Sequence, residues 1–149
     1  MIGLTPPIEG GSQRHIYEVS SRVGCQVLTQ KGSICKNKIE LPVINKNPFL
    51  LNITFFLSCL IYSLKLLLVK KHKIIHIHEN LLYPIAILLK IRYKVVITVH
   101  GISGFKFYES KLAWFFFKQG LKIAEWVISV SRNDKMLLDK ELSKVIYIP

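Results

Sequence analysis

Three histidines fall at or near the ends of two apolar runs. His76 and His78 lie two apart in Ile74-Ile75-His76-Ile77-His78, and His100 closes Val95-Val96-Ile97-Thr98-Val99-His100-Gly101. If both runs are strands, His76 and His78 share one face. His100 then sits at a strand end, with Gly101 to turn the chain sharply away. An imidazole there can hydrogen-bond a hydroxyl-rich ligand, although a single histidine at a strand end is more often a satisfied structural residue. The three together have the ring nitrogens a zinc ion takes. No carboxylate or thiolate is placed to complete such a set, so the sequence predicts no metal. His78, nearer the carboxyl end of its run, is the better candidate to face a ligand. Glu79 follows it, and His76 reads as structural.

Gly10 and Gly11 open a second kind of site. They follow a short apolar run and precede helical spacing. Backbone without Cβ atoms admits close approach of a ligand, and N–H groups at a helix start favour anions. An ordinary tight turn after Pro6-Pro7 explains the same residues. Arg14, in the first turn of that helix, can meet a phosphate or lie exposed as a solvated charge. Ser129 and Ser131 flank the end of a later strand, and helix capping suffices to explain Ser131.

The elements that must position these residues alternate in type. Residues 2–5, 26–29, 39–44, 74–78, 95–99, 126–130 and 145–148 read as strands. Residues 12–23, 49–69, 81–91, 109–124 and 132–142 read as helices. Pro42 makes the third strand an edge or a weak one, and Pro84 falls in the first turn of its helix. Strand and helix in alternation, with continuous apolar strands, predict an α/β fold: a doubly wound, Rossmann-like parallel sheet. Ligands of such sheets sit at the carboxyl ends of the strands. That rule selects 6–11, 78–80, 100–104 and 129–131, all loops rich in Gly, His or Ser.

Composition sets outer limits. The 149 residues fit one domain, with 50% hydrophobic residues against 20% charged, which excludes a disordered chain. The net charge of +12 favours anionic contacts. Cys25, Cys35 and Cys59 have no CxxC spacing, so neither a disulfide framework nor a zinc knuckle is expected. Their usage fits a reducing cytoplasm. Residues 1–7 lack the basic and apolar regions of a signal peptide.

The ordered motifs resemble one family. Thr5-Pro6-Pro7-Ile8-Glu9-Gly10-Gly11 followed by His15-Ile16-Tyr17-Glu18-Val19 is similar to the opening of family-4 retaining glycosyltransferases. Ile74 to His78, Val95 to Gly101, Val127-Ile128-Ser129-Val130-Ser131 and Val145 to Pro149 resemble their later strands in the same order. The resemblance implies the N-terminal, acceptor-side lobe of a GT-B fold over residues 1–149, with the C-terminal donor-binding domain absent from them. It implies that Gly10, Gly11 and Arg14 lie near donor phosphates and acceptor. His100 would contact a sugar hydroxyl at the catalytic position, with His78, Gly101 and Ser131 in the substrate site. It implies no metal and no cofactor.

The family's second lobe carries a pair of Glu eight positions apart, and no two Glu here have that spacing. The expected activity is therefore transfer from a nucleotide-sugar donor, bound only with a second lobe on this or a separate chain, to a sugar or lipid-linked acceptor. Alone the chain is expected to be inactive. A non-catalytic, membrane-associated scaffold and another GT-B enzyme, such as a sugar-nucleotide epimerase, are the competing readings. A dinucleotide enzyme is disfavoured because no GxGxxG follows the first strand, and nucleic-acid binding rests on charge alone.

Residues 49–69 are long and apolar enough to approach a membrane span. The family places a soluble helix there, and Thr54, Ser58 and Lys65 oppose Asn52 and Ser63 around it. Trp114, Phe117, Leu121 and Ala124 space as a core stripe, leaving Phe115 and Phe116 off it. With the positive charge, these features predict a cytoplasmic chain that is peripheral on an anionic membrane surface.

Overall fold

The computed structural model describes residues 1–69, 73–102, 111–140 and 142–149, apart from the side chain of Ala113. It divides into two compact units, Met1–Val69 and Lys70–Pro149. The architecture is α/β with parallel sheets, as the alternation of elements predicts.

The first unit holds α1 (Gly11–Val23), β1 (Val27–Gln30), β2 (Lys38–Leu41) and α2 (Pro48–Leu68). β1 and β2 pair in parallel from Val27↔Lys38 to Gln30↔Leu41. All four residues of β1 are buried. Ile16 of α1, Val27 and Cys35 form a small core with Met1 and Tyr17 against it. α1 stops where Gly24 takes φ 66° and returns its N–H to the Ser20 carbonyl. α2 starts where Asn47 Oδ1 accepts the Leu50 N–H at 2.9 Å, with Pro48 in the first turn.

Two expectations change in this unit. The strand expected over residues 2–5 is a single bridge, Ile2↔Leu28. Beyond it a side chain replaces the ladder. The Gln30 amide accepts the Thr5 N–H at 3.0 Å and donates to the Thr5 carbonyl at 2.6 Å. β2 is also shorter than expected and ends at Leu41. Pro42 brings no N–H to a ladder, and its carbonyl instead accepts the Ser58 hydroxyl at 2.7 Å.

The second unit holds β3 (Ile74–Ile77), α3 (Ile85–Leu89), β4 (Lys94–Val99), α4 (Lys111–Ile123), β5 (Trp126–Ser129), α5 (Arg132–Leu138) and β6 (Val145–Tyr147). The four strands pair in parallel in the order β3-β4-β5-β6. Ile77, Val95, Ile97 and Val99 are wholly buried, as β-branched residues of a covered parallel sheet should be.

The helix expected over residues 81–91 is broken. A 3-10 turn, Asn80–Leu82, comes first, and α3 begins only after Pro84. Pro84 has no N–H for a carbonyl one turn back, so it cannot continue a helix through that point. Of the predicted stripe, Phe117 and Leu121 of α4 and Ala124 just past its end are buried and Trp114 is half-buried, while Phe115 and Phe116 are exposed. Residues 109 and 110, expected to begin that helix, lie outside the described residues. α5 ends at Leu138 rather than at residue 142.

Tyr83 is the centre of this packing. Its ring lies 5.0 Å from that of Phe117. Its carbonyl oxygen faces Gly120, where a Cβ would come within 2.2 Å of it. Only glycine lets α4 approach so closely.

Candidate functional site

The sequence-predicted residues fall into two groups, one in each unit. Gly10, Gly11 and Arg14 belong to the first. They lie where the chain enters α1, beside a pocket of about 400 Å³ lined by Pro6, Pro7, Ile8, Glu9, Gly10, Arg14, Tyr17, Glu18 and Ile34. Gly10 has φ 154° and ψ 158°, a region in which a side chain is strained. Its carbonyl accepts the Arg14 N–H at 3.1 Å, closing the first turn of α1. Gly10 gives that turn no side-chain cap and its first turn holds no acidic residue, while Glu9 and Glu18 line the pocket beside it.

A buried hydroxyl network holds this loop from below. Thr5 Oγ1 lies 2.8 Å from Thr29 Oγ1 and 2.6 Å from Ser33 Oγ. Thr29 Oγ1 donates to Gln30 Oε1 at 2.6 Å. The Pro6 carbonyl accepts the Ile34 N–H at 3.1 Å, and the Thr5 carbonyl accepts the Ile8 N–H at 3.2 Å. The motif reading found the loop but not this footing. Thr5, Thr29 and Ser33 are scattered in sequence, and only β1 brings them together.

The second group gathers at the carboxyl ends of β3, β4 and β5. Parallel pairing sets His76 beside Val96 and Ile77 beside Ile97, so the chain leaves β3 and β4 at the same edge. His78 is buried and His100 half-buried. His78 Nδ1 and His100 Nε2 are 3.2 Å apart, so one nitrogen carries the shared proton and the other accepts it. His76 turns to Thr98, with Nε2 2.7 Å from Oγ1. That contact gives it the structural role expected of it.

Gly101 takes φ 94°, in the left-handed region. Its carbonyl accepts Asn80 Nδ2 at 3.4 Å. The Tyr83 hydroxyl lies 2.6 Å from Asn80 Oδ1 and 2.8 Å from the Thr98 carbonyl. Burial, and then the charges of Glu79 and Asp134, hold the Tyr83 phenol protonated well above its ordinary value. It therefore acts as a donor throughout the working pH range.

Ile102 N–H donates to Asp134 Oδ1 at 3.1 Å. Asp134 is buried, and its Oδ2 has no partner among the described residues. Ser131 caps α5 by accepting the Asp134 N–H at 3.4 Å. The Ser129 hydroxyl donates to the Ser131 carbonyl at 2.7 Å. The Ser131 hydroxyl is thus engaged in building the edge.

Tyr83 and Asp134 went unnoticed in the sequence, and Asn80 was selected only as the end of the 78–80 loop. Ser131-x-x-Asp134 carries the spacing of a capping box, which flags Asp134 as a helix-start residue. Its carboxylate instead crosses to the loop after β4. No local pattern announces Asn80 or Tyr83, whose partners lie 15 to 21 positions away.

The two groups differ in kind: one is a glycine turn at a helix start, and the other is a paired imidazole at a strand edge. The family model for Glycosyltransferase Family 4 matches residues 9–149. The chain belongs to that family. Among solved structures it is similar to a sucrose-phosphate synthase from Thermosynechococcus elongatus, at 16% identity and a TM-score of 0.63. That match covers 99% of this chain and 44% of the synthase chain, so these residues span less than half of its length. A shorter chain of the same synthase matches at 16% identity and a TM-score of 0.62, covering 99% of this chain and 86% of that one. At this identity the likeness shows the fold, which is that of a GT-B glycosyltransferase lobe. No curated protein matches the sequence.

Proposed function

We propose that these residues form the acceptor-side lobe of a glycosyltransferase and act together with a second, donor-binding lobe on this or another chain. In the reaction an acceptor hydroxyl oxygen bonds to the donor sugar's anomeric carbon. The bond from that carbon to the nucleotide diphosphate breaks, and the hydroxyl proton is released. The observation that carries this reading is the His78–His100 pair beside the Gly101 turn. It presents a half-buried imidazole at a strand edge, where ligands of parallel α/β sheets bind. His100 is the residue assigned to a sugar hydroxyl, with His78 fixing its orientation. Gly10, Gly11 and Arg14 are assigned to phosphate, through backbone N–H groups and a guanidinium.

One wall of phosphate contacts is too little for catalysis alone. Stabilising the charge that develops on the leaving diphosphate takes several preorganised donors. The 149-residue chain is therefore expected to turn over no sugar by itself and to bind uridine, guanosine or adenosine diphosphate sugars more weakly than micromolar. Calorimetric titration and a product assay on lipid and sugar acceptors measure both. With a second lobe supplied, His100→Ala should cut turnover by about 100-fold while lowering the thermal midpoint far less, by no more than the loss of one hydrogen bond to His78. Full activity in the variant, or a collapse of its stability, would refute the assignment. Sub-micromolar nucleotide-sugar binding by the chain alone would refute the division of labour.

A further inference from the structure

α2 has its polarity reversed. Six apolar residues, Phe49, Ile53, Leu57, Ile61, Leu64 and Leu68, are exposed, at 40% to 83%. They recur every three or four positions. At 100° per residue they occupy an arc of about 120° along about 28 Å of helix. The polar residues lie outside this arc, Asn52 and Lys65 exposed and Thr54, Ser58 and Ser63 turned toward the fold. The Thr54 hydroxyl is used by the Leu50 carbonyl at 2.7 Å and the Ile44 N–H at 3.0 Å. Ser58 donates to the Pro42 carbonyl, and Ser63 is fully buried. A helix of a water-soluble surface has the opposite arrangement.

The charged residues of the segment that contains this stripe have one sign. From residue 41 to residue 78 the sequence contains Lys46, Lys65, Lys70, Lys71 and Lys73, and no Asp or Glu. Lys46 lies just ahead of the helix and Lys65 in its last turn, and both are exposed. Among the described residues of this segment every charge is a lysine, and the acidic residue just before it in sequence, Glu40, is paired with Lys38; such a cationic flank on an apolar stripe is complementary to a surface that is apolar below and anionic above.

We propose that the outer face of α2 docks in the plane of an anionic lipid bilayer, with Phe49 to Leu68 among the acyl chains and the lysines at the headgroups. α2 is long and apolar enough to cross a membrane. Its other face argues for lying flat. Leu51, Phe55, Cys59, Ser63 and Leu66 are buried in the fold, and a spanning helix would have to give up that packing. Lipid supplies apolar contact to one face only, and the lysines add the attraction that holds an interfacial helix in place.

The proposal does not depend on sugar transfer, and its test reads lipid binding alone. The full chain is mixed with vesicles of phosphatidylcholine containing 30% phosphatidylglycerol (about a third anionic, as an order-of-magnitude choice) and with vesicles of pure phosphatidylcholine. Co-sedimentation should be strong with the first and weaken at least about tenfold either with the second or at high salt. The triple variant Leu57→Gln, Ile61→Gln, Leu64→Gln should lose binding to a similar degree, with its circular dichroism unchanged. A Leu57→Trp reporter should shift its emission to the blue on binding and be quenched by lipids brominated near the headgroup. Wild-type binding in the triple variant overturns the proposal, as does equal binding to neutral vesicles. Quenching only by lipids brominated at the bilayer centre, with resistance to alkaline extraction, would make α2 a span instead. A dimer without lipid that the triple variant dissociates would make the stripe a contact between copies. Should the triple variant misfold, the single Ile61→Gln change and the Trp reporter still decide.

Discussion

Replacing Gly120 by alanine tests the packing that holds the edge of the second unit in place. A Cβ at position 120 would sit 2.2 Å from the Tyr83 carbonyl oxygen, 2.6 Å from its carbon and 3.0 Å from its Cβ. Two of these atoms are backbone and cannot rotate away. α4 must move off by about 0.8 Å merely to reach the closest approach that real Cβ atoms show. Overpacking of this kind costs about 3 kcal/mol against an unyielding neighbour. Alanine's better helix propensity returns about 1 kcal/mol. The net loss is about 2 kcal/mol, which for a chain of this size lowers the unfolding midpoint by about 4–8 °C. Both tryptophans, Trp114 and Trp126, lie in the second unit, so their fluorescence reports on it directly. Gly11→Ala is the control, followed by circular dichroism because it lies in the first unit: nothing lies within 4 Å of a Cβ there, so its midpoint should hold or rise slightly with alanine's better helix propensity. An unchanged or raised midpoint for Gly120→Ala would refute the close approach of α4 to Tyr83.

Two further perturbations probe the same unit. Tyr83→Phe removes the hydroxyl whose one hydrogen is shared between Asn80 Oδ1 and the Thr98 carbonyl. It should cost about 1–3 kcal/mol in urea unfolding and speed hydrogen exchange at Gly101 and Ile102; protection retained at both amides would show that the turn does not depend on it. Glu125, bonded to Lys90 at 2.6 Å, has its carboxyl held below the usual range by that hydrogen bond and by the lysine's charge. A depressed carboxyl stabilises the folded state above its unfolded value and loses that contribution as pH falls through the folded one. The difference in urea midpoint between wild type and Glu125→Gln should therefore be small at pH 7, since the pair is exposed. It should shrink as pH falls below the unfolded carboxyl value of about 4.3 and vanish once pH has passed the lower folded value; a difference that grows on acidification would reverse the sign.

The parallel strands of the second unit were legible because β-branched runs such as Val95-Val96-Ile97-Thr98-Val99 have one reading when both faces are covered. Ser131 was legible as a cap from its place before a helical run. His78 and His100 were legible as strand-end residues, and the structure brings them within 3.2 Å of each other. What the sequence hid was of two kinds. Pro84 was read as a helix-start residue, yet with a 3-10 turn ahead of it the same ring ends one element before the next begins. The roles of the buried polar partners, Asn80, Tyr83 and Asp134, were hidden because their hydrogen bonds cross between elements, and no periodicity records that. The polar and apolar residues of α2 were visible in sequence, but which of them faced outward depended on where the fold lay.

The Gln30 amide that serves both sides of the Thr5 peptide has a consequence for anyone who would transplant the Gly10 loop. The loop's position is written 25 residues downstream of its own root, in a side chain, and not in the segment that leads into it. Grafting residues 1–11 onto a related lobe would carry the ligand-facing residues and leave their anchor behind. A host with Glu at position 30 offers acceptors but no N–H for the Thr5 carbonyl, and a host with Leu offers neither. The portable module is therefore discontinuous: the loop, Thr29-Gln30 and Ser33 travel together or the loop arrives unmoored.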